Sequence, residues 1–326
     1  MGMETKSENV IKLDLEKRVK PIERVDISSI TPETFFEKYQ KTGTPVIITG
    51  LLESEGDWNL DYLCEKFGSQ ELIFRNPGRE REKQEKRKWK SIGSGVNLQS
   101  MQFTEYAEML RNHKAHENDI NLGKCPLKNT PLADTQSLKI IGSRLGLTKP
   151  ASELNIYVAP GGHRSGLHYD SVDGTLMQLH GAKKIVFFPP SETYNLYPFP
   201  VYIHLRHGLK LRSWFSQVDL ENPDFKTMPK FKQALQHKCE VILEQGETLY
   251  IPAGWWHEVI GLGDEMVCAV NRFWRIYPTS RAVFSWSRWR AACGIIFALP
   301  YTFLNFAIAL GSSNRKQKIS KISHRI

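Results

Sequence analysis

Two imidazoles and one carboxylate carry the chemical promise of this chain. His168 and Asp170 sit two residues apart in His168-Tyr169-Asp170, and His257 follows 89 residues after His168, closing Ile251-Pro252-Ala253-Gly254-Trp255-Trp256-His257. Two nitrogen donors and one oxygen donor, with no cysteine among them, are what a non-heme Fe(II) centre needs on one face of the metal. The opposite face then stays open for a chelating cosubstrate and O2. Successive side chains on a strand point to opposite faces, so His168 and Asp170 project together while Tyr169 points away. The triplet alone arises often by chance. Its weight comes from the flanking strands and the distant third ligand.

Those flanking strands are legible as short apolar runs separated by Gly or Pro. From Leu154 onward the pattern predicts strands over 154–158, 175–179, 183–188, 240–243, 248–251, 257–260 and 266–273. This spacing favours a sandwich or barrel over βαβ units. A jelly-roll barrel lets inward-facing residues of neighbouring strands surround a metal. Upstream, Thr44–Gly50 (TPVIITG) reads as a buried strand ended by glycine, and Leu60–Gly68 as a helix with a glycine stop. Glu71–Arg75 suggests another strand, and Phe103–Asn112 a helix with Thr104 as its cap.

At 326 residues the chain can bury one large core, or a core with a smaller appendage. The organisation expected is a polar lead-in over 1–25, a catalytic domain over 26–280, and a C-terminal apolar helical segment with a basic tail over 281–326. The excess of Lys and Arg gives a net charge of +9. That charge admits nucleic acid or an anionic membrane surface, but no motif calls for either. The run Arg79–Lys90 (REREKQEKRKWK) holds seven cations and three acids and reads as a solvated insertion, with a substrate-docking patch as the sharper alternative.

Cys64, Cys125, Cys239, Cys268 and Cys293 are odd in number, scattered and never in CxxC spacing. A reducing compartment, the cytoplasm, follows as the expectation. The N-terminal residues are too polar for a secretory signal, and Lys6 stands where a myristoylation signal wants Ser or Thr.

Residues 291–311 (AACGIIFALPYTFLNFAIALG) contain no Asp, Glu, Lys, Arg or His and have basic flanks on both sides. As a helix they would reach about 30 Å, enough to cross a bilayer. Pro300, Thr302 and Asn305 in the middle argue instead for a helical hairpin, buried against the barrel or in a homodimer. Both readings stand, and charges on both flanks leave an orientation undecided.

With the ligand positions in hand, further motifs fall into line: Gly166-Leu167-His168-Tyr169-Asp170, Gly181–Pro190 (GAKKIVFFPP), Tyr197–Pro200 (YPFP), Ser216–Asp219 (SQVD), Asn222–Phe225 (NPDF) and Gly246–Pro252 (GETLYIP). In this order they resemble the JmjC/cupin-like 2-oxoglutarate oxygenases, nearest the branch of the asparaginyl hydroxylase that inhibits hypoxia-inducible factor. The resemblance implies a mainly β fold, a double-stranded β-helix of the jelly-roll type with flanking N-terminal helices. It implies Fe(II), 2-oxoglutarate and O2, with His168, Asp170 and His257 as metal ligands and succinate and CO2 as coproducts.

The family's cosubstrate lysine falls on Lys183. A lysine leading a strand whose same-face neighbours are Ile185 and Phe187 would be expensive inside a barrel without an anion, which the distal carboxylate of 2-oxoglutarate supplies. Lys184 is the rival. Ser165 keeps the hydroxyl that is usually threonine in relatives, Asn271 matches a family asparagine near the cosubstrate, and Tyr157 points along a strand toward the same region. Trp255 and Trp256 read as packing that holds His257.

One departure is Gly174, where relatives carry asparagine; losing that side chain would loosen the cosubstrate or admit a water. Asp170 is retained, whereas a halogenating relative would lose it to make room for chloride, so hydroxylation is the reading. The substrate expected first is a protein side chain, then a small molecule or membrane-linked metabolite, then a base of RNA. No Cys/His module for reading histone tails is present in the sequence. Two other classes stay in view: a non-catalytic cupin-like metal-binding module, and a sugar isomerase or other cupin enzyme that binds metal without consuming 2-oxoglutarate.

Overall fold

The computed structural model describes residues 21–80 and 84–323, so most of the polar lead-in and the centre of the basic run lie outside the described residues. Thirteen strands follow in chain order among them: β1 Glu23–Asp26, β2 Val46–Thr49, β3 Glu71–Asn76, β4 Asn97–Gln102, β5 Leu122–Pro126, β6 Asn155–Pro160, β7 His168–Tyr169, β8 Asp173–His180, β9 Lys183–Phe188, β10 Cys239–Leu243, β11 Thr248–Ile251, β12 Trp256–Gly261 and β13 Met266–Trp274. A seven-stranded sheet runs β1-β2-β11-β8-β13-β6-β5, and a four-stranded sheet runs β10-β9-β12-β7. A separate hairpin pairs β3 with β4. The barrel strands are those the jelly-roll pattern calls for.

Both sheets are covered on both faces, and this explains their near-continuous apolar runs. Ile47 of β2, Leu249 and Ile251 of β11, Ile185 and Phe187 of β9 and Val241 of β10 form the layer between the sheets. The outer face of the large sheet, with Ile48, Tyr250, Met177 and Val270, packs against Phe35, Leu63, Phe67, Phe103 and Tyr106 from the N-terminal half. The outer face of the small sheet, with Tyr169, Val186, Phe188 and Trp256, is covered by Leu196, Val218 and Phe231.

Local chemistry sets the flanking helices. In α1 (Leu60–Phe67) the side chain of Asn59 accepts from the Tyr62 N–H at 2.9 Å, and Gly68 ends the helix at φ +49°, a conformation costly for any residue with a Cβ. The second helix, α2 (Phe103–Arg111), is not capped by Thr104. The chain enters it straight from β4, and carbonyls of the preceding turn take its first donors: Phe103 N–H to Gln70 and Thr104 N–H to Gly68. The end of the polar lead-in enters the fold as β1, whose residues Glu23–Asp26 pair in parallel with Val46–Thr49. The described part of the basic run is more than a solvated loop. Lys86 lays its side chain, about one-tenth exposed, against the barrel and donates to the Val218 carbonyl at 2.8 Å.

The C-terminal apolar segment corrects the hairpin expectation. It forms one continuous helix, α4 (Trp286–Leu310), with Pro300 inside it. Its polar groups do not break it because they bond back one turn: Thr302 Oγ1 donates to the Ala298 carbonyl at 2.8 Å and Asn305 Nδ2 to the Tyr301 carbonyl at 2.7 Å. The helix crosses α3 (Ile203–His207), where Gly294 allows close approach; an added Cβ would lie 2.7 Å from His204 Nε2. Arg290, buried at its N-terminal end, donates to the Ser213 and Phe199 carbonyls. The opposite face is open, with Ile296, Phe303 and Leu304 all more than half exposed. By length and composition this helix is long and apolar enough to cross a membrane.

Replacing Arg290 with Met should strip two buried carbonyls of their donor, at about 1–3 kcal/mol. The expected outcome is a Tm lowered by several degrees in thermal denaturation. An unchanged Tm would mean that helix α4 is not anchored through this side chain.

Candidate metal centre and cosubstrate cavity

Strand register brings the three donors together. Antiparallel pairing of β7 with β12 sets His257 directly opposite His168, and their ring centroids lie 4.4 Å apart. Asp170 sits one residue beyond the end of β7, on the same side as His168. Its Oδ2 lies 3.7 Å from His257 Nε2, and its carbonyl accepts from the Gly254 N–H at 2.8 Å. Tyr169 points the other way, fully buried against Trp256. One donor atom from each of His168, Asp170 and His257 falls within 4.8 Å of the others.

Both rings are held from behind by the backbone. His168 Nδ1 bonds the Gly166 carbonyl at 2.8 Å and His257 Nδ1 the Trp255 carbonyl at 3.0 Å. A carbonyl on Nδ1 fixes the tautomer in which Nε2 presents its lone pair to a metal. Burial, and next the neighbouring His168, push the pKa of His257 down to about 4, so the ring is neutral and ready to ligate at ordinary pH. His168 is also stacked on Phe215 at 4.8 Å.

The turn carrying His257 has its own scaffold. Asp173, fully buried, accepts from the Ala253 N–H at 2.8 Å and the Tyr250 hydroxyl at 3.0 Å, and pairs with Arg281. Gly254 has φ +86°, and a Cβ there would lie 2.4 Å from Ser287 Oγ. Trp255 donates to the Gly43 carbonyl and Trp256 to Thr193 Oγ1. Both indoles are therefore structural supports of this turn.

The donors open into a cavity of about 280 Å³ that is also lined by Lys183, Ser165, Tyr157, Asn271 and Gly174. Lys183 is buried on the inner face with Ile185 and Phe187. Burial pushes its pKa down to about 8, and no carboxylate of the described residues offsets this. Lys184 points outward and pairs with Glu240 at 2.8 Å. Ser165 Oγ accepts from the Val259 N–H at 2.9 Å and donates to the Gly166 carbonyl over a long 3.4 Å. Asn271 Oδ1 is buried with no hydrogen-bond partner among the described residues. Burial raises the Tyr157 phenol to about 12, keeping it a neutral donor. At Gly174 an added Cβ would meet Phe273 at an ordinary 3.5 Å, so a longer side chain has room to start. A buried cation and an orphaned amide oxygen beside a two-histidine, one-carboxylate set fit a metal with an anionic chelator.

The sequence reading missed Arg75 of β3, Lys124 of β5, and Arg212 and Trp214 in the connection before β10, all of which line the same cavity. They belong to elements outside the barrel, and no local pattern points them at the metal donors.

Residues 32–280 match the family profile described as a cupin-like domain. The chain is 27% identical to lysine-specific demethylase JMJ31 of Arabidopsis thaliana over 282 residues, 76% of this chain and 49% of that protein. It is 35% identical to tRNA wybutosine-synthesizing protein 5 of Homo sapiens over 113 residues, 34% of this chain and 30% of that protein. It is 36% identical to lysine-specific demethylase 8 of Xenopus tropicalis over 121 residues, 37% of this chain and 25% of that protein. The chain thus spans about half the length of the first of these and less of the others. With the barrel, the facing histidines and this match together, the chain belongs to the JmjC-type, cupin-like domain family, whose members are Fe(II)- and 2-oxoglutarate-dependent oxygenases.

Proposed function

We propose that this chain is an Fe(II)- and 2-oxoglutarate-dependent hydroxylase acting on a protein side chain or a small molecule. The observation that carries the reading is Lys183, a buried amine with no carboxylate partner among the described residues, in the cavity that holds the donor triad. Bound iron with 2-oxoglutarate and O2 would supply the oxidation, the keto-acid leaving as succinate and CO2. His168, Asp170 and His257 would hold the metal through Nε2, a carboxylate oxygen and Nε2. Lys183 would pair with the distal carboxylate of 2-oxoglutarate, with the Ser165 and Tyr157 hydroxyls as further donors, and the Asn271 amide would orient the bound acid. Phe215, Ile251 and Phe273 exclude water from the walls, and placement of the substrate C–H against the metal is the protein's main contribution.

Retention of Asp170 supports hydroxylation over halogenation, and the motif order supports kinship with the asparaginyl hydroxylase branch. A base of RNA is a second reading, supported by the relative named for wybutosine synthesis and by the net charge of +9; it requires RNA affinity that falls steeply with salt. A non-catalytic cupin-like module is the contrasting class.

His168→Ala and Asp170→Ala should each abolish succinate release from 2-oxoglutarate under iron and air. Retained turnover in either would remove the proposal, and no release from wild type would favour the binding module. Lys183→Ala should raise the 2-oxoglutarate requirement roughly 10–100-fold; an unchanged requirement would remove Lys183 from the site.

The pH dependence has a defined sign. Free Lys183 loses its proton through about 8, whereas an anion binds and holds the charged form. Binding above pH 8 must therefore take up a proton, and 2-oxoglutarate affinity should fall by up to about tenfold per pH unit until the raised pKa of the complex is reached. Isothermal titration with Mn(II) in place of iron checks this: wild type should show the slope and Lys183→Met should be flat.

A further inference from the structure

We propose that the exposed face of helix α4 lies flat on an anionic lipid bilayer, with the basic residues at its two ends holding lipid headgroups. This docking is independent of the reaction at the metal centre.

One stripe of this helix serves the protein and the rest faces outward. Ser287, Arg290, Ala291, Gly294 and Ala298 recur at helical spacing and are buried. Small residues along that stripe and opposite it permit close contact: an added Cβ at Gly294 would lie 2.9 Å from Ser213 Oγ, and one at Gly208 would overlap the Tyr301 ring. Outward, no Asp, Glu, Lys, Arg or His interrupts the chain between Arg290 and Arg315. Phe303 is 69% exposed, and Phe284, just before the helix, 85%. A continuous apolar face of this kind marks a contact surface. A helix tied down along one stripe cannot cross a bilayer without breaking those contacts, including the two carbonyls that Arg290 serves. Seated flat, it keeps them.

Charge around the face selects the partner. From Met266 to Ile326 the chain carries ten Lys or Arg and no Asp or Glu. The other 265 residues hold 34 Lys or Arg against 35 Asp or Glu, so the whole net charge of +9 arises in this stretch. Arg288 is exposed at one end of the helix, and Arg315, Lys316 and Lys318, on the following helix α5 (Arg315–Ser323), are exposed at the other. Lys210, just beyond α3, adds an amine 5.8 Å from the Tyr301 ring. Trp286 and Trp289 are about half exposed, their Nε1 groups donating to the Tyr194 hydroxyl at 2.8 Å and the Val283 carbonyl at 2.6 Å. Amphipathic rings of this type settle at the headgroup level of a bilayer. Cations beside an apolar helix face match anionic headgroups above acyl chains. A second copy of the chain fits less well: both ends are basic, so either direction of a two-fold contact sets like charges together. Nucleic acid would leave the apolar face uncovered.

The test mixes the full chain with sealed vesicles of phosphatidylcholine, with or without phosphatidylserine, and reads flotation on a density gradient. Binding to the phosphatidylserine vesicles should be about tenfold tighter or more, and high salt should weaken it. The double variant Ile296→Glu with Phe303→Glu should lose about tenfold or more, and so should the triple variant Arg315→Glu, Lys316→Glu and Lys318→Glu. Lys184→Glu, on the outer face of the small sheet, should float like wild type. All these side chains are exposed, and an unchanged Tm shows that each variant folds. A peptide tag after Ile326 should stay open to protease added outside the vesicles. The docking is overturned if the chain floats with neither vesicle or equally with both, or if the double or the triple variant floats like wild type. A protected tag would mean that the helix crosses the bilayer and would overturn the flat seating. A lipid-free dimer that Phe303→Glu dissociates would give the face to a second copy instead.

Discussion

The site depends above all on the pairing of β7 with β12. That short antiparallel contact sets His257 opposite His168, and the chain has only one further residue in which to deliver Asp170. A slip of one residue would turn His257 out of the cavity and bring Trp256 or Glu258 into its place, because side chains alternate faces along a strand. The register is secured from outside the metal site. Tyr169 and Trp256 lock together on the outer face of the small sheet, while β9 pairs with β12 along the whole length of both strands. Packing on one face thus fixes ligand geometry on the other.

The same alternation gives β9 its double character. Ile185 and Phe187 fill the layer between the sheets, and Lys183, at the start of that row, places an amine where a hydrophobe would be cheaper. Val186 and Phe188 serve the second core behind the sheet. A strand buried on both faces tolerates one misplaced charge only where a cavity receives it, and that cavity is the one the histidines share. The structural cost of Lys183 and its place in that cavity have a single cause.

Around this fixed floor the walls come from elsewhere. The β3–β4 hairpin, the shifted register of β5 and the connection before β10 contribute Arg75, Lys124, Arg212, Trp214 and Phe215. None of these segments is needed to close the barrel. The barrel therefore sets what reaction the centre can support, and the appended segments set what can approach it. Helix α4 is likewise appended, anchored by Arg290 at one end and leaving a broad apolar face open along the rest.

The sequence by itself determined the central barrel strands and marked the three side chains whose donor atoms converge. Apolar runs bounded by glycine and proline are local signals, and β9 and β11 fall on the residues the pattern marks, Lys183–Phe188 and Thr248–Ile251. It did not yield β1, β4 or β5, whose polar or irregular sequences become strands only because a neighbour offers its edge. It favoured Lys183 with Lys184 as rival, and the register places Lys183 on the inner face, since one residue along a strand reverses the face. Thr104 was passed over as a cap because a distant turn supplied the acceptors first, and Thr302 and Asn305 sit inside the helix because their side chains bond back to carbonyls one turn earlier. Tertiary structure alone decided the walls of the cavity, because Arg75, Lys124 and Arg212 are far apart in sequence and meet only when three separate segments fold over one opening.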